Sequence, residues 1–295
     1  MRTSPSRYTL LQSRIDRLDR LVPGVEAGEV RAVHQARVAS RRLRELLPVL
    51  QLDPAATRKL SRRLRKATRG LGMAREVDVL QLLIEELQAS GQYRPRVLQH
   101  VGEDIRTRRG EMTKRFRPLA SDLGRILRKL EAAAAELEGA DTGRDRGWRW
   151  ALDARVARRG VALGKVVDEA GAMYLPERLH EVRIALKKLR YGVELRTEAA
   201  GDRTNVDLRA LKRTQELLGR MHDLQALIDR VRDAQASLAP TDAGLWRDLD
   251  ALVISLEGSC RQLHGRYVRQ RAALAAICDR LAGLAAAPSR ARRVG

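Results

Sequence analysis

Apolar residues recur every three or four positions along almost the whole chain, with Leu and Ala at the repeating positions and Arg between them. This spacing places the apolar side chains on one face of an α-helix, whereas a half-buried strand would alternate. Aromatic residues make up only 3% of the sequence and Phe occurs once, so a β-sandwich or a barrel is poorly supported. With 44% hydrophobic residues the chain can bury a sizeable core. The pattern predicts an all-α protein.

Glycine and proline interrupt the helical pattern at several points. Breaks are predicted at 70–72, at 90–91 and at 171–176, where these residues cluster. The segment GADTGRDRG at 139–147 is rich in Gly and charge and lies close to the middle of the chain. We therefore predict two domains, a first helical bundle at 1–143 and a second at 144–295.

Two short segments resemble each other at an offset of about half the chain. The first reads VHQARVASRRLR at 33–44, and the second reads LHEVRIALKKLR at 179–190. A fainter pair follows in the same order, with LGMAREVDVL starting at Leu71 and LGRMHDLQAL starting at Leu218. Because ordered matches of this kind are typical of an internal repeat, we predict two tandem copies of one helical unit.

The repeat carries one face of basic residues in each copy. At about 100° per residue, the first four basic or protonatable side chains lie within an arc of about 80°, and the second four take the same angles. The first face consists of His34, Arg37, Arg41 and Arg44, and the second of His180, Arg183, Lys187 and Arg190. Arg42 and Lys188 lie at the margins, while the opposite sides carry Ala, Val and Leu and are predicted to face the core.

A further basic face follows in each half. In the first half it consists of Arg58, Arg62, Arg65 and Arg69, and in the second of Arg209, Lys212 and Arg213. Glu216 stands where the second face would need its fourth cation. We therefore expect the first half to bind an anion more strongly than the second.

The net charge of +21 indicates a polyanionic partner, because excess charge repels itself until an anion relieves it. Arg dominates, and its planar fork suits phosphate oxygens. Membranes, acidic proteins and a merely solvated Arg-rich surface remain alternatives, but compensating acids are scarce on the basic faces. A His at the head of each face favours a ligand contact. No apolar run approaches the roughly 20 residues that cross a bilayer, and the N-terminus has no apolar signal core, so we expect a cytoplasmic protein without membrane association.

The residues offer little support for catalysis or metal binding. Cys260 and Cys278 are predicted to lie about 27 Å apart on one helix, too far for a disulfide, and are interpreted as buried thiols. No CxxC or Cys/His cluster indicates zinc, Ile184 replaces the second His of an HExxH motif, and no phosphate-binding glycine motif is present. We expect no cofactor, no metal and no enzymatic activity.

The segments HQARVASRRLR and HEVRIALKKLRY, each followed by an LG-containing segment, resemble the CHAD domain, a helical domain named for its histidines. The resemblance covers essentially the whole chain. It implies two four-helix bundles related by a pseudo-twofold axis, a basic groove between them that binds inorganic polyphosphate, and an association with polyphosphate granules. Both basic faces, with Arg42 and Lys188, match the family's basic helices. Glu76 departs from the expected Asp, whereas Asp223 fits, and both are interpreted as partners that position nearby Arg.

Polyphosphate also suits the residues themselves, because it carries repeated charge and no bases. Single-stranded nucleic acids are expected to stack on aromatic rings, which are nearly absent from the basic faces except for Tyr191. Duplex nucleic acid, bound through its phosphate backbone alone, is the alternative partner and a competitor for the same face.

Overall fold

Helices account for almost all of the chain that the structure describes. The computed structural model describes residues 5–140, 145–201 and 206–285. Within these ranges the chain forms α-helices and short 3-10 turns and contains no strand, so the predicted all-α class is confirmed. The helices are α1 (Arg7–Asp19), α2 (Val22–Glu26), α3 (Val30–Leu46), α4 (Pro54–Ser90), α5 (Pro95–Ala140), α6 (Asp145–Ala170), α7 (Pro176–Ala200), α8 (Val206–Ala236) and α9 (Ala243–Ala282).

Local sequence signals set several helix ends. The carboxylate of Asp53 accepts a hydrogen bond of 2.7 Å from the backbone N–H of Ala56 and caps α4, whose first residue is Pro54. Gly91 ends α4 with φ of +66°, and Gly201 ends α7 with φ of +70°, a left-handed conformation that glycine adopts without strain. The breaks predicted at 90–91 and 171–176 are confirmed.

The break predicted at 70–72 is wrong, because α4 continues from Pro54 to Ser90 without interruption. Leu64, Leu71 and Ala74 stay buried on both sides of the two glycines, and the helix packs against α3 and α5. A glycine inside a helix costs about 1 kcal/mol relative to Ala. Burial of the long apolar face outweighs that cost.

The helices pack in two groups that share their cores. α1 to α5 pack against one another, as do α6 to α9, and α3 contacts α7 while α4 contacts α8. One hydrophobic cluster contains buried residues from each of the helices α1 to α9, and the other joins the end of α4 and the start of α5 to α8 and α9. The domain boundary between 143 and 144 lies outside the described residues, so it and the tandem repeat stay predictions.

The side chains that the sequence predicts in the core are buried. Ala36, Ala39 and Leu43 of α3 and Leu189 of α7 are at most 2% exposed. Cys260 and Cys278 are buried free thiols, as their spacing on α9 predicts. No helix in the described parts of the chain is both long and apolar enough to span a membrane.

Candidate anion-binding site

Helix α3 is fixed against α4 in a way that turns its basic face toward α7. Its apolar side is buried, and the hydroxyls of Ser40 and Thr68 lie 3.0 Å apart in a buried hydrogen bond between α3 and α4. Thr68 also lies 2.6 Å from the Leu64 carbonyl of its own helix. Helix α3 also packs against α1 and α2, and it contacts α7, where charges of its basic face act on residues of α7.

Four cations from the two repeated segments meet where α3 contacts α7. We call Arg37, Arg41, Arg183 and Lys187 the central cluster. Arg41 and Arg183 both contribute to lowering the pKa of Arg37, and Arg37, Arg41 and Arg183 all contribute to lowering the pKa of Lys187. The two basic faces that the sequence predicted separately therefore form one electrostatic unit.

Burial makes the central cluster costly in the absence of a counter-ion. Desolvation and then the neighbouring guanidinium groups lower the pKa of Lys187 to about 6, and desolvation and Arg41 lower that of Arg37 to about 10. The buried Nε atoms of Arg37 and Arg183 have no hydrogen-bond partner among the described residues. Buried donors normally have a partner, so these two unsatisfied atoms add to the cost of the free cluster, which an anion in the adjoining cleft would offset through its charge.

The carboxylate of Asp223, on α8, partly offsets the positive charge of the central cluster. Asp223 raises the pKa values of both Arg183 and Lys187 through its charge, while burial raises its own pKa. Its predicted role beside Arg is consistent with this placement. Glu76, its counterpart on α4, is exposed. The buried acid there is Asp78, whose Oδ1 lies 2.7 Å from Nε of Arg109.

The two predicted histidines occupy different surroundings. Burial lowers the pKa of His34, and the charges of Arg75, Arg37 and Arg41 lower it further. His180 contacts His222 of α8, with ring centroids 5.0 Å apart and planes inclined by 45°. Burial and the charge of Arg183 lower the pKa of His222 to about 3. These rings are therefore neutral near pH 7 until an anion favours their charged forms.

An open cleft of about 490 Å³ extends from the central cluster, and we call it the main cleft. It lies between α3, α4, α6 and α7. Its charged lining consists of Arg41, Arg44, Glu45, Arg65, Arg155, Arg159, Lys187 and Lys188. Arg65 contributes to lowering the pKa of Arg44, which shows that the cations of α3 and α4 also lie close together.

Glu45 holds two arginines of α6 at the edge of the main cleft. Its Oε1 accepts a hydrogen bond of 2.8 Å from Nε of Arg155 and another from Nη1 of Arg159. Nη1 of Arg159 also lies 2.7 Å from the carbonyl oxygen of Lys188 on α7. One carboxylate thus positions two cations and compensates only one of their charges.

Two of the predicted residues are engaged elsewhere. Arg190 is buried, with Nε 2.6 Å from Oε1 of Gln215 and Nη1 bonded to Oε1 of Glu194. Arg42 lies on a different side of α3 from Arg41, and its Nη2 is 3.4 Å from Oε2 of Glu194.

The remaining predicted cations lie exposed on α4 and α8 and have no ion-pair partner among the described residues. They are Arg58, Arg62, Arg69, Arg209, Lys212 and Arg213. The structure places none of them in the main cleft, whose α4 contribution is Arg65. Their role in binding stays a prediction.

Sequence reasoning missed four basic or protonatable residues of the site, and also Glu45. Arg75 and His222 occupy matching positions in the fainter repeat, so that alignment held a usable signal. Arg155 and Arg159 are four residues apart on α6, a spacing that several Arg pairs on other helices also have, and only their contact with Glu45 distinguishes them. No group of three or more His, Cys, Asp and Glu within the described ranges could hold a metal ion.

The fold and the cleft define an all-α protein with a cationic site where its two groups of helices meet. Residues 9–232 match the CHAD domain family, so the chain belongs to this family. Membership supports a role associated with polyphosphate. No curated protein matches the chain.

Two of the solved structures that resemble the chain share its fold over most of its length. PptA from Streptomyces chartreusis has a TM-score of 0.61 and 18% identity, covering 90% of this chain and 100% of its own. The CHAD domain from the plant Ricinus communis has a TM-score of 0.56 and 21% identity, covering 96% of this chain and 91% of its own.

Proposed function

We propose that the protein binds inorganic polyphosphate in the central cluster and the main cleft, and that it holds this ligand without catalysing a reaction. The observation that carries the proposal is the meeting of Arg37, Arg41, Arg183 and Lys187 beside the main cleft, which Arg41 and Lys187 line. A phosphate group in the main cleft would accept hydrogen bonds from Arg41, favour the charged form of Lys187 and relieve the repulsion within the central cluster.

The lining of the cleft suits a ligand with charge but no bases. Arg and Lys dominate it, and its one aromatic residue, Tyr191, is only 9% exposed and lies under the guanidinium of Arg190 at 4.3 Å from its ring centroid. Its ring face is therefore engaged, whereas proteins that bind single strands offer open rings for stacking. This arrangement favours polyphosphate over single-stranded RNA or DNA.

Charge reversal at the central cluster tests the proposal. We expect the double variant R37E/R183E to lose retention on polyphosphate, because two attractive donors become repulsive carboxylates. The matched control R128E/K129E has the same change in charge at two exposed positions of α5 and should retain binding. Filter binding measures retention, and circular dichroism verifies that helical content is kept. Unchanged binding of polyphosphate by a folded R37E/R183E variant would contradict the proposal.

Duplex nucleic acid is the alternative ligand, since it too presents a row of phosphates. Competition at equal phosphate concentration and moderate salt separates the two. We expect duplex DNA and RNA to displace polyphosphate only weakly, because a rigid duplex cannot bring its phosphates onto the half-buried Arg37 and Arg183. Equal displacement would instead support a general binder of phosphate backbones.

The absence of catalysis is tested by assaying orthophosphate release from polyphosphate across divalent metals. We expect no release above background, since the site offers cations and no cluster of acids for a metal within the described residues. Release that disappears in H34A or H180A would identify a phosphohydrolase and contradict this part of the proposal.

A further inference from the structure

A second cationic cleft lies on another side of α3, between α1, α3 and the end of α7. It has a volume of about 230 Å³, and its charged lining consists of Arg14, Arg17, Arg20, Arg42 and Glu198. Consecutive residues of a helix project about 100° apart, so Arg41 faces the main cleft and Arg42 faces this one. The two clefts share α3 and α7 but no cation.

The only acid in the described lining of the second cleft is already neutralised. Nη1 and Nη2 of Arg14 donate two hydrogen bonds to Glu198, at 3.1 and 2.8 Å. The Arg14 side chain is only 8% exposed, and its buried Nε has no hydrogen-bond partner among the described residues. Arg14 and Glu198 therefore form a fixed wall with almost no net charge, and the other three arginines determine the charge of the cleft.

Those three arginines remain accessible to a ligand. The Arg42 side chain is 32% exposed, and its contact with Glu194 is long at 3.4 Å because that carboxylate is held more closely by Arg190. Arg17 and Arg20 are exposed. Nε of Arg20 donates to the carbonyl oxygen of Asp16 at 3.2 Å, which anchors this side chain at the end of α1.

Stabilisation of α1 does not account for the whole arrangement. Cations near a helix C-terminus interact favourably with the helix dipole, which would suffice for Arg17 and Arg20. It does not explain why Arg42, on a different helix, completes the same cleft. Three guanidinium groups from two helices around one concave surface are typical of oxyanion recognition.

We propose that the second cleft is a separate binding site for phosphate groups. Its volume lies below the roughly 300–1,000 Å³ of pockets for drug-sized ligands, which suits a phosphate or a short oligophosphate. The same chemistry is supplied by a free oligophosphate or by one segment of a longer polyphosphate. The site does not require the main cleft to bind anything.

Binding at the second cleft can be measured separately in a variant whose central cluster has two reversed charges. In the R37E/R183E background, titration calorimetry with tripolyphosphate should still detect binding. Adding R17E/R20E should weaken that binding by at least about tenfold, whereas adding R128E/K129E, with the same change in charge, should not. Absence of residual binding, or an equal loss with both additions, overturns the proposal.

The wild-type background provides a second measurement that does not depend on the folding of R37E/R183E. There R17E/R20E should lower the number of tripolyphosphate ions bound by one, and R128E/K129E should leave it unchanged. An unchanged number with R17E/R20E would contradict the second site. If R37E/R183E binds long polyphosphate as well as wild type while R17E/R20E removes tripolyphosphate binding, the proposed function fails and the second site stands.

Long-chain polyphosphate distinguishes the two sources of the ligand. If one polyphosphate molecule reaches both clefts, its second contact is intramolecular. R17E/R20E then lowers the affinity for long polyphosphate by a larger factor than the affinity for tripolyphosphate. Equal factors for both ligands identify a site for free oligophosphate. In either case R17E/R20E must weaken binding. If R17E/R20E leaves the affinity for both ligands unchanged, the proposal is contradicted.

Discussion

The basic faces of α3 and α7 have the same sequence pattern but meet different neighbours. Arg44 of α3 lines the main cleft close to Arg65. The matching Arg190 of α7 is buried against Glu194 and Gln215. One side chain is thus available to a ligand, while the other joins α7 to α8. An internal match in sequence identifies the face of a helix, and the neighbours of each side chain decide its role.

A second difference concerns the cations at the centre of each face. Lys187 occupies the position that matches Arg41. Both lie in the main cleft, but burial and three guanidinium groups lower the pKa of Lys187 to about 6. Lysine can respond to such surroundings by losing its proton, which arginine does not do in proteins. Of these two matching positions, the one on α7 is therefore the one whose charge changes near neutral pH.

The largest expected effect separates Arg190 from Arg44. We expect R190A to lower the free energy of unfolding by about 3 kcal/mol, because it leaves the half-buried Glu194 without its main counter-ion. R44A should change stability by no more than about 0.5 kcal/mol and should weaken polyphosphate binding instead. Urea denaturation and filter binding measure the two quantities. Wild-type stability in R190A together with lost binding would make Arg190 a ligand contact and erase the difference between the faces.

The next effect is the pH dependence of binding, which Lys187 should dominate above pH 7. The groups that act on it are Arg37 and Arg41 on α3, Arg183 on its own helix and Asp223 on α8. A polyanion favours the charged amine, so binding takes up a proton and affinity falls as pH rises, by up to about tenfold per pH unit. K187R keeps its charge and should show a flatter profile in calorimetry at pH 7 to 8.5.

The stability of the free protein should change with pH in the opposite direction. The pKa of Lys187 is lower in the folded chain than in the unfolded one, so the unfolded state binds more protons between pH 6 and the ordinary lysine range. This residue therefore makes stability increase with pH in that window. K188R is the control, because Lys188 is an exposed lysine of the same cleft. Equal pH profiles for wild type and K187R would assign the dependence to other groups.

The smallest expected effect compares α4 with α8 at matching positions. Arg65 lines the main cleft, and Lys212 is exposed outside it. We expect R65A to reduce the slope of log affinity against log salt by about one, as the loss of one phosphate contact does. K212A should change the slope by less than half of that. The slopes are measured in titrations at several salt concentrations. Equal reductions of the slope in R65A and K212A would show that the ligand also contacts α8.

Much of the fold could be predicted from the sequence because helix formation and the direction of side chains are local. The spacing of Leu and Ala identified buried residues such as Leu43 and Leu189, and glycine marked the end of α4 at Gly91. The prediction failed at Gly70 and Gly72, where packing of α4 against two neighbouring helices outweighs the local preference of glycine. The basic faces could likewise be identified, since they follow from the helical period alone.

The sequence by itself determined that the protein is helical, that it is strongly basic and that two basic faces contain His34, Arg37, Arg183 and their neighbours. Only the tertiary structure decided which cations meet, which are already paired and which lose charge. Glu45 selects two arginines of α6, and Glu194 occupies Arg190. The physical reason is that pairing and pKa depend on groups within a few ångströms in space, and in this fold those groups lie on helices far apart in the chain.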